Sequence, residues 1–370
     1  MRIAVGMSGG VDSSVAAALL KQAGHDVVGV TMVIWEDSKC CSGDAIEDAQ
    51  WVAKHLGIEH KVYNLISEFT QEVVNPFVDS YMGGTTPNPC PTCNHKMKFH
   101  HLWNAVKQDM EIDKMATGHY VRLLYNEAAE RYQLFRGRDV NKDQTYMFYK
   151  LSQQQLSELM FPLGAFESKA ETRKLAGELG LDPVMNKPDS QDLCFVGDSL
   201  NDFWRNHYKK SIDGGDIVDI SGKVLGKHEG IVHYTVGQRK GLGISSPRPL
   251  YVLSIDADKN QIIVGEQEQT FSTGMIAKGI NWSGVPAITE PFEAYVRIRY
   301  RSGLVKSRLE PIDDDTLRIW FEVPQGAVSP GQITVFYDEN DMLLGGGVIE
   351  GPIDPAYETR AHALATNVGR

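Results

Sequence analysis

Gly6-Met7-Ser8-Gly9-Gly10-Val11-Asp12-Ser13-Ser14 is the stretch on which the reading of this chain turns. It lies between a short apolar run, residues 3–5, that reads as a buried strand, and a helical pattern over residues 13–22. Glycines let backbone N–H groups turn inward and form an anion-binding nest, and the helix N-terminus behind them adds partial positive charge. Ser8, Ser13 and Ser14 supply hydroxyls for phosphate oxygens, and Asp12 can hold Mg²⁺. The loop lacks the lysine of a Walker A motif and is not Gly-x-Gly-x-x-Gly. It predicts phosphate binding at the first strand-to-helix turn of an α/β domain.

Outward from the loop, residues 27–34 read as a second strand, residues 60–65 as a third, and the neighbourhood of 114–117 as another. Between them run helical patterns, one opening at Asp44 with Ala45, Ala49, Val52, Ala53 and Leu56 on one face, and one led by Ser67. Strands alternating with helices predict an open, mainly parallel sheet covered by helices, over residues 1–205. The pattern then changes. From Gly214 onward short β-like runs (250–256, 261–265, 292–300, 316–321 and 333–337) are separated by Gly, Pro and Asp/Asn turns. They predict a small central β-rich domain, 206–272, and a C-terminal β-barrel, 273–352, followed by a tail, 353–370.

With 370 residues, the chain suits two or three domains at about 150 residues each. Its net charge, 37 − 48 = −11, excludes a histone-like or polybasic protein, although a local basic patch can still bind nucleic acid. Five cysteines, two of them adjacent, make a poor disulfide framework and suit a reducing compartment. There is no signal-peptide pattern and no apolar run near the roughly 20 residues that span a bilayer. A cytoplasmic, membrane-free protein is expected.

Cys90-Pro91-Thr92-Cys93 follows the proline-rich Thr85-Thr86-Pro87-Asn88-Pro89 and precedes Asn94-His95-Lys96, while Cys194 lies in Ser190-Gln191-Asp192-Leu193-Cys194-Phe195. Nearby cations and a helix N-terminus favour the thiolate form. Structural zinc wants four ligands, and no second Cys-x-x-Cys exists. A thioredoxin-type dithiol fits the proline loop less well. Sulfur carriage between two separated cysteines is the third reading, and it fits best where a domain activates its substrate for attack by sulfur. Cys40 and Cys41 read as small residues in a strand-to-helix loop.

The Ser-Gly-Gly-x-Asp-Ser order resembles the PP-loop ATP pyrophosphatases, which adenylate a substrate oxygen, release pyrophosphate and let a nucleophile displace AMP. That resemblance implies ATP on Gly6, Met7, Ser8, Gly9, Gly10, Val11, Asp12 and Ser13, bordered by Met32 and Gly118. Six stretches in order carry a more specific likeness: GMSGGVDSS (6–14), TPNPCPTCNHKMKF (86–99), ATGHY (116–120), KDQTYMFY (142–149), DSQDLCFV (189–196) and GIVHYTVGQRKGLGI (230–244). They are similar to the tRNA-specific 2-thiouridylase family, which places sulfur on C2 of the wobble uridine, U34. The likeness implies Cys93 as nucleophile and Cys194 as persulfide carrier, able to form a disulfide with each other. It implies Asn88, Pro89, Cys90 and His119 at the target base, and Lys142, Asp143, Gln144, Arg299, Tyr300 and Gln332 on tRNA. Its partners are tRNAs of the Lys, Glu and Gln types and a sulfur donor such as a cysteine desulfurase or a relay protein.

One departure stands out. The commonest family pattern has Asp where this chain has Cys90, so a carboxylate general base does not carry over. Three cysteines then offer an alternative to the persulfide, a [4Fe-4S] cluster on Cys90, Cys93 and Cys194.

On the RNA side, Tyr295-Val296-Arg297-Ile298-Arg299-Tyr300-Arg301 alternates, which predicts Arg297, Arg299 and Arg301 on one strand face, extended by Lys306 and Arg308. The competing reading is a solvated face balanced by Glu310 and nearby aspartates. The rival functions are a PP-loop ligase using ammonia, which needs no cysteine pair, and a non-catalytic RNA-binding module, against which the intact loop argues.

Overall fold

A computed structural model describes residues 1–35, 43–187, 193–197, 199–208 and 212–353. Cys40, Cys41, Ser190, Gln191, Asp192 and the tail from 354 lie outside the described residues.

Five parallel strands form the first sheet: β1 (Arg2–Gly6), β2 (Asp26–Val33), β3 (Glu59–Asn64), β4 (Lys114–Thr117) and, after an antiparallel hairpin of β5 (Val121–Asn126) and β6 (Arg131–Arg136), the short β7 (Leu159–Met160). Their order is β3-β2-β1-β4-β7. Ile3, Ala4 and Val5 are fully buried because helices cover both faces of the central strand, so this strand reads as an unbroken apolar run. The chain winds to one side of β1 through β2 and β3, then crosses to the other through β4. The crevice at the carboxyl ends of β1 and β4 is therefore a topological switch point, where open α/β sheets take their ligands. The glycine-rich loop after β1 and Gly118 after β4 both stand there. Helix α1 (Val11–Gln22) starts two residues earlier than its apolar pattern suggests, because Gly10 caps it.

The remaining chain is β-rich, as its turn-rich composition predicts. β8 (Gly215–Asp219), β9 (Val224–His228), β10 (Tyr251–Asp256) and β11 (Gln261–Gly265) make a four-stranded sheet. β12 (Phe271–Asn281), β13 (Phe292–Arg297), β14 (Val305–Pro311), β15 (Thr316–Gly326), β16 (Ile333–Tyr337) and β17 (Leu343–Ile353) close into a barrel in the order β12-β15-β14-β13-β16-β17. Buried and exposed residues alternate along β13 and β14, and the buried set (Ala294, Val296, Leu309, Ile319, Phe336) fills the interior. Closure leaves no unpaired edge. Among the described residues no helix is long and apolar enough to cross a membrane.

Candidate functional site

The phosphate loop is stitched from within. Ser13 Oγ accepts from Ser8 N–H (3.2 Å) and donates to Gly10 O (3.1 Å), and Ser14 Oγ donates to the same carbonyl (2.9 Å). Ser14 is fully buried, so its hydroxyl shapes the loop and does not face a phosphate, contrary to expectation. Ser8 is exposed. Met7 is pinned beneath: its N–H bonds Val30 O (2.8 Å) and its carbonyl accepts Thr31 Oγ1 (2.7 Å). That bond uses the only hydroxyl proton of Thr31, so His60 Nε2, 2.9 Å away, is the donor to Thr31. No side chain caps the N-terminus of α1, which leaves its first N–H groups directed at the crevice.

Two glycines are required. Gly9 has φ +69°, and a Cβ there would lie 2.3 Å from Ala45 O. A Cβ on Gly118 would fall 2.5 Å from Asp12 C and 2.6 Å from Ser13 N, backbone atoms that cannot swing aside. Gly118→Ala is accordingly expected to displace the loop at a cost of about 1–3 kcal/mol, lowering nucleotide affinity roughly tenfold or more. Isothermal titration with ATP checks this, and unchanged affinity would show that the contact does not matter. Met32, near the end of β2, is half-buried.

Asp12 does not stand open as a metal ligand. Lys169 Nζ meets Oδ1 at 2.6 Å and Oδ2 at 2.5 Å, and Tyr120 OH donates to Oδ1 at 2.8 Å. Tyr120 OH is in turn 2.7 Å from Thr172 Oγ1. The carboxylate expected to hold Mg²⁺ is thus engaged on both oxygens, an arrangement that does not fit a metal held by Asp12. Lys169, the first residue of the helix Lys169–Glu178, was not singled out from sequence, because nothing local marks it.

The cysteine turn is built by its prolines and Asn88. Asn88 Oδ1 accepts from Cys90 N–H (3.1 Å) and Pro89 O from Cys93 N–H (2.9 Å), so the helical turn Cys90–Thr92 runs into the wide-wound helix Cys93–Leu102. Cys90, Cys93 and Cys194 are half-buried thiols. Cations surround the turn. Lys150 Nζ donates to Thr92 Oγ1 (3.4 Å), and burial with Lys96 nearby pulls its pKa down. Burial, then Lys96 and Lys150, hold His95 near a pKa of about 4, so it is neutral. Lys150 also escaped the sequence reading. The ring of Phe195, next to Cys194, packs against Trp35, Phe69, Phe77 and Phe203 and so anchors that cysteine. Among the described residues, which include all three of these cysteines, no three His, Cys, Asp or Glu side chains gather as a metal-holding group. The thiols as arranged therefore do not fit a cluster.

Residues 144–150 join these parts. Gln144 Oε1 accepts from Tyr120 N–H (3.0 Å), and Phe148 meets the His119 ring edge-on at 4.9 Å. Met147 O accepts from Asn94 Nδ2 (3.3 Å), and Lys150 holds Thr92. Thr145 Oγ1 lies 2.9 Å from Tyr337 OH, and Tyr146 OH donates to Ile333 O at 2.6 Å. One short segment thus touches the nucleotide crevice, the cysteine turn and the barrel. Burial keeps His119 well below its ordinary pKa and neutral, with Nδ1 2.7 Å from Thr117 Oγ1.

Several expected tRNA residues are turned inward. Asp143 is buried and accepts from Gly137 N–H and from Thr145 N–H and Oγ1, with Arg136 at 3.3 Å and Arg297 at 3.4 Å. It ties barrel to sheet domain, and its place in the interior removes it from an RNA-facing surface. Lys142 beside it is half-buried. The single-faced arginine stripe is also corrected. β13 ends at Arg297, which is buried against Asp143. The Arg299 guanidinium donates to Ala327 O and to Ser329 Oγ (2.8 Å), and Lys306 and Arg308 are paired with Glu293 (2.8 Å) and Glu310 (3.0 Å). Gln332 Nε2 donates to Thr86 O (2.7 Å), and Thr86 N–H bonds Pro330 O (2.9 Å), so the barrel grips the loop leading to Cys90. Tyr300 is half-buried. Its hydroxyl is pushed up in pKa chiefly by burial and then by Asp143, and its ring lies 5.9 Å from that of Tyr146.

Comparison with known proteins gives three consecutive matches. A family model described as a tRNA methyl transferase HUP domain covers residues 1–198, a tRNA methyl transferase PRC-barrel domain covers 201–266, and an aminomethyltransferase beta-barrel domain covers 272–349. The chain is 45% identical over 359 residues to tRNA-specific 2-thiouridylase MnmA 1 of Caldanaerobacter subterraneus subsp. tengcongensis, spanning 94% of this chain and 98% of that protein. It is 43% identical to tRNA-specific 2-thiouridylase MnmA of Acetivibrio thermocellus (94% and 99%) and 42% identical to that of Clostridioides difficile (94% and 98%).

Proposed function

Because the chain belongs to the tRNA-specific 2-thiouridylase family, we propose that it is a tRNA sulfurtransferase that exchanges O2 of the wobble uridine for sulfur at the expense of ATP. The observation that carries this reading is the segment 144–150, which touches crevice, cysteine turn and barrel together. A ligase using ammonia has no use for the cysteine turn. Methyl transfer, as the family models' descriptions word it, needs neither a pyrophosphate-stabilising loop nor a thiol pair.

The chemistry then runs in two steps. ATP, arriving with its Mg²⁺, lays its phosphates on the Gly6–Ser13 loop and the N-terminus of α1. Uridine O2 attacks the α-phosphorus and pyrophosphate leaves, which converts a poor leaving oxygen into AMP. Lys169 stands at the loop as the cation that meets the phosphate charge. Neutral His119 offers one hydrogen bond to the base or the nucleotide, and Asn88, Pro89 and Cys90 shape the wall that the base enters. The terminal sulfur of a Cys194 persulfide becomes bonded to C2 and the C2–O–AMP bond breaks. The two electrons this requires come from the Cys93 thiolate, which forms a disulfide with Cys194, and an external thiol reduces that disulfide before the next turnover. Lys150 stands at this turn through its bond to Thr92 Oγ1. A cysteine desulfurase or relay protein charges Cys194, and tRNAs of the Lys, Glu and Gln types, in the cytoplasm, are the substrates by family likeness. Arg299 and Gln332 act on tRNA by holding the barrel turn and the loop leading to Cys90 in place, and Tyr300 and Lys142, half-buried, are the residues left to meet the anticodon arm.

The test is reconstitution with purified protein, ATP, a sulfur source and unmodified tRNA, followed by mass spectrometry of the nucleosides. ATP-dependent 2-thiouridine at position 34 is expected. ATP turnover with no thionucleoside would overturn the reading.

A further inference from the structure

The segment between Gly237 and Leu250 takes no part in the site above, yet it carries three cations and no acid. No acidic residue occurs between Glu229 and Asp256, in a chain whose net charge is −11. The segment lines a groove of about 450 Å³ bounded by Arg239, Leu242, Ile244, Arg248 and Pro249, with Gly241 and Gly243 leaving its floor without side chains. Arg239 and Lys240 are exposed, and among the described residues neither meets a carboxylate at ion-pair distance, whereas neighbouring Arg248 is neutralised by Glu266 at 2.9 Å. The loop is held in shape at its base: Gly237 N–H bonds Val252 O (2.8 Å), Val252 N–H bonds Gln238 O (2.9 Å), and Gln238 Nε2 donates to Lys240 O (3.0 Å). A groove organised in advance in this way costs little ordering on binding.

We infer that this groove binds the phosphodiester backbone of the tRNA, with Arg239 in its lining and exposed Lys240 next to it in the chain as the cations. The inference rests on the proposed function for the identity of the RNA. The groove's chemistry selects backbone over bases. Its lining holds no aromatic ring on which a base could stack, and its donors are exposed cations and backbone N–H groups, the pattern of sequence-independent phosphate contact. The segment before the groove packs directly on the barrel. Ser329 Oγ, which accepts from Arg299, lies 3.4 Å from Val236 O, and Ser329 and Pro330 lead to the contact with Thr86 that grips the cysteine loop. These bonds fix the groove's segment relative to the barrel and the cysteine loop, so on this inference the central domain holds the backbone of the tRNA while the sheet domain works on one base.

The experiment uses the full-length protein and a labelled unmodified tRNA transcript, with affinity read by anisotropy over a series of salt concentrations. Arg239→Gln with Lys240→Gln is expected to flatten the plot of log affinity against log salt by about two units and to weaken binding roughly tenfold at the lower salts, with ATP affinity unchanged. Lys227→Gln, which removes an exposed lysine already paired with Asp216, is expected to leave the slope as it is. An unchanged slope in the double variant, with normal wild-type binding, overturns the groove and leaves the proposed function standing. A wild-type protein that binds no tRNA overturns both.

Discussion

Alanine at Cys93 or at Cys194 is expected to abolish thiolation, a loss of more than about 10³-fold, while ATP affinity stays at the wild-type level. The two halves of that result have separate physical causes. Sulfur transfer needs one thiol to carry the sulfur and a second to supply electrons, so neither can be spared. The phosphate loop is held by Ser13, Ser14, Thr31 and Gly10, none of which contacts a cysteine through the bonds described, so ATP has no reason to leave. Cys90→Ser is the informative companion. At this turn it is the backbone N–H of residue 90 that bonds Asn88, and serine keeps both that bond and the side-chain volume. The variant should be impaired but active. Thionucleoside mass spectrometry and an ATP-binding titration on the three proteins decide it, and a Cys90→Ser protein as inactive as Cys93→Ala would sink the two-cysteine route.

The second large effect is at the Asp12–Lys169 pair. Lys169→Met and Asp12→Asn should each lower ATP-dependent thiolation on the order of 10²–10³-fold, the usual cost of losing a group that meets charge developing at a phosphate. Stability separates them. Asp12→Asn leaves an ammonium that is only 8% exposed without its counter-charge and should destabilise the protein by about 2 kcal/mol. That is below the range for a fully buried pair, because Asp12 keeps a third of its side chain in solvent. The double variant should recover that stability and none of the activity. Denaturant unfolding and steady-state rates on the four proteins complete the cycle. Lys169→Met with normal rates and normal ATP affinity would leave the pair a purely structural strut.

Legibility in the sequence followed locality. The phosphate loop announced itself because strand, glycines and helix start are contiguous, and the Asn88-to-Cys93 turn did so for the same reason. The barrel was visible as a class, from its short strands and turn residues. Lys169 was not, since it reaches Asp12 from 157 positions away and sits in an ordinary helical pattern. Lys150 was hidden in the same way, as a lysine after an aromatic run. The arginine stripe misled for a definite reason. Alternation assigns faces only while the strand lasts, and β13 stops at Arg297, where a buried carboxylate from another part of the chain, Asp143, draws the guanidinium inward. Asp143 and Gln332 were singled out as residues, but their bonding was not legible. One serves the interior, and the other donates to Thr86 O.

The segment 144–150 has a thermodynamic corollary. A single stretch of backbone bonded on one side to the nucleotide crevice and on the other to the barrel cannot shift for one ligand without being felt by the other. Whatever factor bound tRNA applies to ATP affinity through this stretch, bound ATP must apply to tRNA affinity, because binding free energies around a closed cycle sum to zero. The segment also carries Lys150 at the cysteine turn, so the same displacement reaches the environment of the thiol. Crevice, barrel and thiol thus share one stretch of backbone, and the coupling between the two ligands is read as the change in ATP affinity that saturating tRNA produces.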